Sequence, residues 1–162
     1  MTNPKTEIPA MNRAIFLGDI ENLAWDRTLD TLTIASIRKV SNAVEKQLRS
    51  FAPLEVIASS HYFAKQIWFA WGRDPRRLLG SGQDGADLQI IKLIKEEHIY
   101  KRFNTVIIGS GDGIFAHPAS HLAKRGITVL AAYGSGGLSK KLHLAVHGTI
   151  PLINQNEQEN VA

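Results

Sequence analysis

The chain has no cysteine, so a disulfide framework, a thiolate zinc site and a thiol nucleophile are all excluded. It has no apolar run near the roughly 20 residues that a membrane-spanning helix needs. Its first residues, MTNPKTEIPAMNR, lack the apolar stretch of a signal peptide. No Gly-Lys-Ser or Gly-Lys-Thr follows any of its glycines, which removes the Walker A phosphate loop. Neither sign of charge dominates: 19 Lys and Arg stand against 15 Asp and Glu, an excess that leans toward polyanionic partners without requiring them. These absences leave a cytoplasmic protein with no membrane association as the expectation.

What is present suffices for one hydrophobic core. The 162 residues, 44% of them hydrophobic, make one domain and fall short of two. Two polar ends, 1–12 and 154–162, read as flexible tails around a domain at 13–153. Inside it, short apolar runs bounded by turn-prone residues predict strands at RAIFLG (13–18), LEVIASS (54–60), RRLLG (76–80), TVIIGS (105–110) and TVLAAY (128–133). Between them, apolar residues recurring at helical spacing predict helices over 29–48, over 63–72 with Gly72 as the stop, from about Leu88, and over 114–125.

Strands alternating with helices imply an α/β fold, a Rossmann-like three-layer sandwich around a mostly parallel sheet. In such sheets ligands bind beyond the carboxyl ends of the strands. Collecting polar residues there gives Asp19, Glu21 and Asn22 after the first strand, Asp84 and Asp87 after RRLLG, and Ser110 and Asp112 after TVIIG. If these strand ends converge, Asp19, Asp87 and Asp112 repel one another until a cation relieves them. Oxygen-only ligands suit Mg²⁺ or Mn²⁺, and a carboxylate-held hard metal suits phosphodiester hydrolysis. Asn22 and Ser110 are then candidates to hold water or a phosphate oxygen, and Lys140 and Lys141, after the glycine-rich YGSGGLS, to meet substrate phosphates. Each acid alone has a plainer reading, as an Asx-turn or a helix cap. Their joint placement at three strand ends is what favours a site.

These residues carry a resemblance. FLGDIENL resembles the Asp-x-x-Asn opening of the NYN family, DGAD its Gly-x-Asp before a helix, and VIIGSGDGIFAHPASHLAKRGITVLAA its strand, Ser-Gly-Asp-Gly-x-Phe turn, helix and strand. LSKKLHLAVHGTIPL resembles the closing Ser-x-x-Leu helix, so the ordered match runs from about Arg13 to about Leu152. NYN domains belong to the PIN-like ribonucleases. The resemblance implies a PIN-like fold, hydrolysis of RNA, endonucleolytic cleavage for preference, and an acidic Mg²⁺ or Mn²⁺ site made of Asp19, Asn22, Asp87 and Asp112 with Ser110 beside them. It also implies a homodimer as one assembly state. The chain departs from the family's pattern at Ile114 and Ala116, where acids are usual. Glu21 or Asp84 stands as the substitute carboxylate. The departure sets a second reading beside the first: an RNA-binding or assembly module that keeps the fold and has lost catalysis.

Other motifs are weaker. GSGQDG (80–85) matches G-x-G-x-x-G, but it lies in mid-chain, and the next strand ends in Gly109 and Ser110 rather than in an acid, so a tight turn is the better account. His117 and His121 lack the Glu of H-E-x-x-H and have Pro118 between them. His143 and His147 repeat that spacing and gain no stronger reading. Trp68 and Trp71, at helical spacing, read as core before base-stacking.

Overall fold

The computed structural model describes residues 12–153. The predicted tails fall outside the described residues, apart from Asn12. One six-stranded, all-parallel sheet runs through the molecule in the order β3-β2-β1-β4-β5-β6. Its strands are β1 (Ala14–Asp19), β2 (Leu54–Ser60), β3 (Arg76–Gly80), β4 (Thr105–Gly109), β5 (Thr128–Tyr133) and β6 (Gly148–Pro151). The α/β class read from the sequence is therefore what the chain adopts. Every crossover returns the chain to the amino edge of the sheet, so all the strand-to-helix loops open at the carboxyl edge.

Strand residues alternate between two cores, as the pleat requires. Ile15, Leu17, Val56, Ala58, Val106 and Ile108 point into one core. It is covered by α4 (Gly85–Glu96), α5 (Ile99–Arg102), α6 (Ala116–Lys124) and α7 (Lys140–Ala145). Phe16, Ile57, Ile107 and Ala132 point into the other, under α1 (Ile20–Ala24), α2 (Ile34–Gln47) and α3 (Ala64–Trp71). The apolar runs are continuous because both faces are buried.

The expected helix over 29–48 starts later, at Ile34. Asp26 Oδ1 accepts the N–H groups of Thr28 and Leu29, and an antiparallel bridge joins Asp26 to Thr31. This turn leaves Leu29 63% exposed. Thr33 and Ser36 then form a reciprocal capping box that fixes the true start. α3 ends at Gly72, whose φ of 80° supplies the left-handed stop. Trp71 is core, as expected, whereas Trp68 is half-buried. No helix of the described residues is long and apolar enough to cross a membrane.

Candidate active site

The strand order reverses between β1 and β4, and the crevice of such a sheet opens where it does. A cavity of about 430 Å³ lies there, lined by Asp19, Glu21, Asn22, Ser60, Asp84, Asp87 and Asp112 with neighbouring backbone. The three strand ends thus converge, although β3 is not adjacent to β1. The gathering is done by α4, which leaves β3 through GSGQDG and packs back across β2 onto β1. A Cβ on Gly80 would stand 2.0 Å from the Gly85 carbonyl oxygen. The glycines of this motif therefore serve a backbone close approach, the tight turn expected of them.

The plainer readings of the acids separate cleanly. Asp19 does cap α1, accepting Asn22 N–H at 3.3 Å, and Asp112 accepts Ile114 N–H at 3.0 Å. Asp84 sits at the N-cap of α4 at φ 57°, but makes no side-chain capping bond among the described residues. Asp87 lies in the first turn of α4, 5% exposed, and its Oδ1 is buried with no hydrogen-bond partner among the described residues. Asp19, also 5% exposed, is close enough to share a proton with it.

Electrostatics follow from that crowding. Burial pushes the Asp19 carboxyl well above the usual carboxylate range, and the hydrogen bond and charge of Asp87 push it further. Burial also raises Asp87, and the charges of Asp112, Asp84 and Glu21 add to it, while the Asp19 hydrogen bond pulls the other way. No Lys, Arg or His stands among the described residues that line the cavity. No group of three His, Asp or Glu among the described residues is set at ligand spacing around one point. The donor set is nonetheless all oxygen, and an orphaned buried carboxylate oxygen faces its like, which fits a hard divalent cation.

The supporting residues mostly orient others. Asn22 Oδ1 accepts Gly111 N–H at 3.1 Å and so ties the β1 end to the loop that carries Asp112. Ser110 is fully buried and outside the cavity lining, and its Oγ accepts Asp112 N–H at 3.1 Å. It shapes the loop that carries Asp112. Gly111 touches the next loop closely: a Cβ there would stand 1.5 Å from the Gly137 carbonyl oxygen.

Lys140 and Lys141 are exposed at the start of α7 and do not line the acidic cavity. Lys141 borders a separate shallow cleft with His117 and Ser120, and its stem passes Gly113, next to Asp112. His117 and His121 are both exposed, and His147 Nδ1 accepts Val129 N–H at 3.0 Å. Ile114 packs against the core and Ala116 is buried, so neither position offers a substitute polar group.

One lining residue escaped the sequence reading. Ser60, the last residue of β2, gives its N–H at 3.1 Å and its hydroxyl at 2.5 Å to the two oxygens of Glu21. The strand-end rule that found the acids, applied to LEVIASS, points to it.

No protein-family model matches the chain, and no curated protein matches it. Among solved structures, a protein of unknown function from Vibrio parahaemolyticus is similar with a TM-score of 0.62 at 14% identity, over 90% of this chain and 94% of that one. MAR1 ribonuclease from Caenorhabditis elegans is similar with a TM-score of 0.43 at 12% identity, over 83% of this chain and 70% of that one. The Vibrio likeness is one of fold, and identity that low leaves the chemistry to be read from the site itself.

Proposed function

We propose that this chain is a metal-dependent ribonuclease of the PIN-like, NYN type, hydrolysing RNA phosphodiester bonds at the acidic cavity. The observation that carries it is the buried, unpartnered Oδ1 of Asp87 beside Asp19, in a cavity whose described lining holds five acids and no cation. A buried carboxylate without a partner destabilises a fold by several kcal/mol, on the order of the desolvation cost of one ion, unless a cation or a proton joins it. Asp19, Asp87 and Asp112 would be the residues to hold Mg²⁺ or Mn²⁺. Such an ion acts as a Lewis acid on a phosphoryl oxygen and makes water more acidic.

The chain's own groups prepare that chemistry. Ser60 donates to both oxygens of Glu21, which fixes this carboxylate in place at the cavity. Asn22 and Ser110 fix the Asp112 loop from two sides. Asp84, in the cavity lining and free of capping duty, would be the residue to take a proton from attacking water.

A second reading, an RNA-binding module without catalysis, is favoured by the apolar packing of Ile114 and Ala116 at positions where acids are usual. The two part in one experiment: cleavage of a labelled, unstructured RNA by purified protein with Mn²⁺, Mg²⁺ or EDTA, beside Asp19→Asn and Asp112→Asn. Metal-dependent cutting abolished by both substitutions establishes the nuclease. RNA bound but left intact by the wild type establishes the second reading in its place.

A further inference from the structure

From Val56 to Arg73 the chain contains no Asp or Glu, although it has 15 elsewhere, and the same stretch holds Tyr62, Phe63, Trp68, Phe69 and Trp71. Trp71 is in the core. Tyr62 is 88% exposed and Phe69 is 70% exposed, which forfeits the burial that usually places such rings inside. The Tyr62 and Phe63 rings lie nearly perpendicular with centres 4.7 Å apart, and those of Trp25 and Phe63 likewise at 5.8 Å. Most of the Tyr62 side chain is left open to solvent.

Tyr62, Lys65 and Phe69 recur at helical spacing and share the exposed side of the turn and α3. Cations accompany the rings: the Arg38 guanidinium lies 5.7 Å from the centre of Phe69, and that of Arg77 lies 5.7 Å from the centre of Trp68. Arg77 also stands 3.7 Å from the exposed Asp74, a surface pair too weak to hold it. The stripe starts at the active edge, because Tyr62 comes two residues after Ser60, which lines the acidic cavity.

We propose that this stripe is a track for single-stranded RNA leading into the acidic cavity, with unpaired bases stacking on Tyr62 and Phe69 and phosphates met by Lys65, Arg38 and Arg77. The proposal rests on the reading of that cavity as the site of RNA hydrolysis. Exposed rings beside cations suit a polyanion that carries flat apolar groups. They do not suit a duplex, whose bases are already stacked and paired. The lysines of α7 are not needed for this path.

The test is binding of a fluorescein-labelled, unstructured RNA of about ten nucleotides to the full chain in EDTA, read by anisotropy beside a duplex of the same length. Tyr62→Ala and Phe69→Ala should each weaken single-strand binding roughly tenfold, with duplex binding unmoved, and Tyr62→Phe should restore wild-type affinity. Both rings are exposed, and an unchanged melting curve confirms that the variants fold. Equal affinity of wild type and both alanine variants overturns the track. So does a dimer that Phe69→Ala dissolves in sedimentation, since the face would then serve a second copy of the chain. Cleavage with Mn²⁺ is measured in parallel, so that the two readings fail separately. Cutting with no ring dependence overturns the track and keeps the nuclease, whereas ring-dependent binding without cutting supports the track and overturns the nuclease.

Discussion

Acids near the two edges of the sheet are treated in opposite ways. Glu55, at the amino end of β2, receives Arg73 through Nε and Nη2, each at 2.8 Å, and the Trp71 indole N–H at 3.1 Å. Glu97, capping the far end of α4, is gripped by both arms of Arg76 and reached by Arg102 at 3.3 Å. At the carboxyl edge five acids line one cavity, and no Arg or Lys joins them among the described lining residues. Stability alone would pair the second group as it pairs the first. The chain supplies arginines where a carboxylate holds elements together and withholds them where Asp19 and Asp87 meet, and that asymmetry is what a cation site requires.

The largest consequence concerns Asp87→Asn. An amide there keeps the shape, gives Asp19 a donor and removes a buried like charge. In EDTA the melting temperature should rise by about 2–4 °C, the response of a domain this size to about 1 kcal/mol. RNA cleavage should fall on the order of 100-fold or more, as it does when one group that stabilises transition-state charge is lost. Mn²⁺ at about 100 times its Kd should add about 2.7 kcal/mol to the wild type and little to the variant. Calorimetry with and without Mn²⁺ reads all but the rate. A variant that melts lower, or a wild type indifferent to Mn²⁺, would erase the distinction between the two edges.

The same chemical change at the amino edge should have the opposite sign. Arg73 is 25% exposed and Glu55 20%, and the guanidinium also donates to the Ser41 carbonyl at 3.1 Å, tying the α3 exit to α2. Glu55→Gln or Arg73→Ala should therefore lower stability by about 1–2 kcal/mol, because each leaves a half-buried partner unsatisfied. Urea unfolding gives the number. A gain in stability would show that the Glu55 pair is no different in kind from the Asp87 pair.

Where the sequence could be read, its local physics was decisive. LEVIASS, RRLLG and TVLAAY are β2, β3 and β5 at the residues expected, because short runs bounded by turn-forming residues declare themselves from their neighbours alone. The five-residue α1 and the four-residue edge strand β6 went unseen, being too short for a period to show. Asp19, Asp87 and Asp112 could be picked out as acids after strands. That α4 folds over β2 to bring Asp87 beside Asp19 depends on strand order, which no window of sequence contains. The α7 lysines lie off the cavity for the same reason: the Gly111 contact with Gly137 sets where α7 begins, and that is a meeting of loops far apart in the chain.

The smallest effect separates an exposed ion pair from a buried one. The hydrogen bonds from Arg76, with its charge and that of Arg102, hold the Glu97 carboxyl below its ordinary value of 4.5. A carboxyl lowered on folding stabilises the fold above its unfolded value, and that contribution is lost as the pH falls through the folded one. The Glu97 side chain is 30% exposed and Arg76 47%, so solvent screening leaves a few tenths of a kcal/mol. Glu97→Gln should lower the melting temperature by about 1 °C at pH 7. The gap should shrink in 0.5 M salt, where surface pairs are screened, and close as the pH drops below about 4. A gap that persists at pH 3 would mean that Glu97 contributes through packing, and the arginines at this edge would then no longer stand as the counterpart of the uncompensated acids at the other.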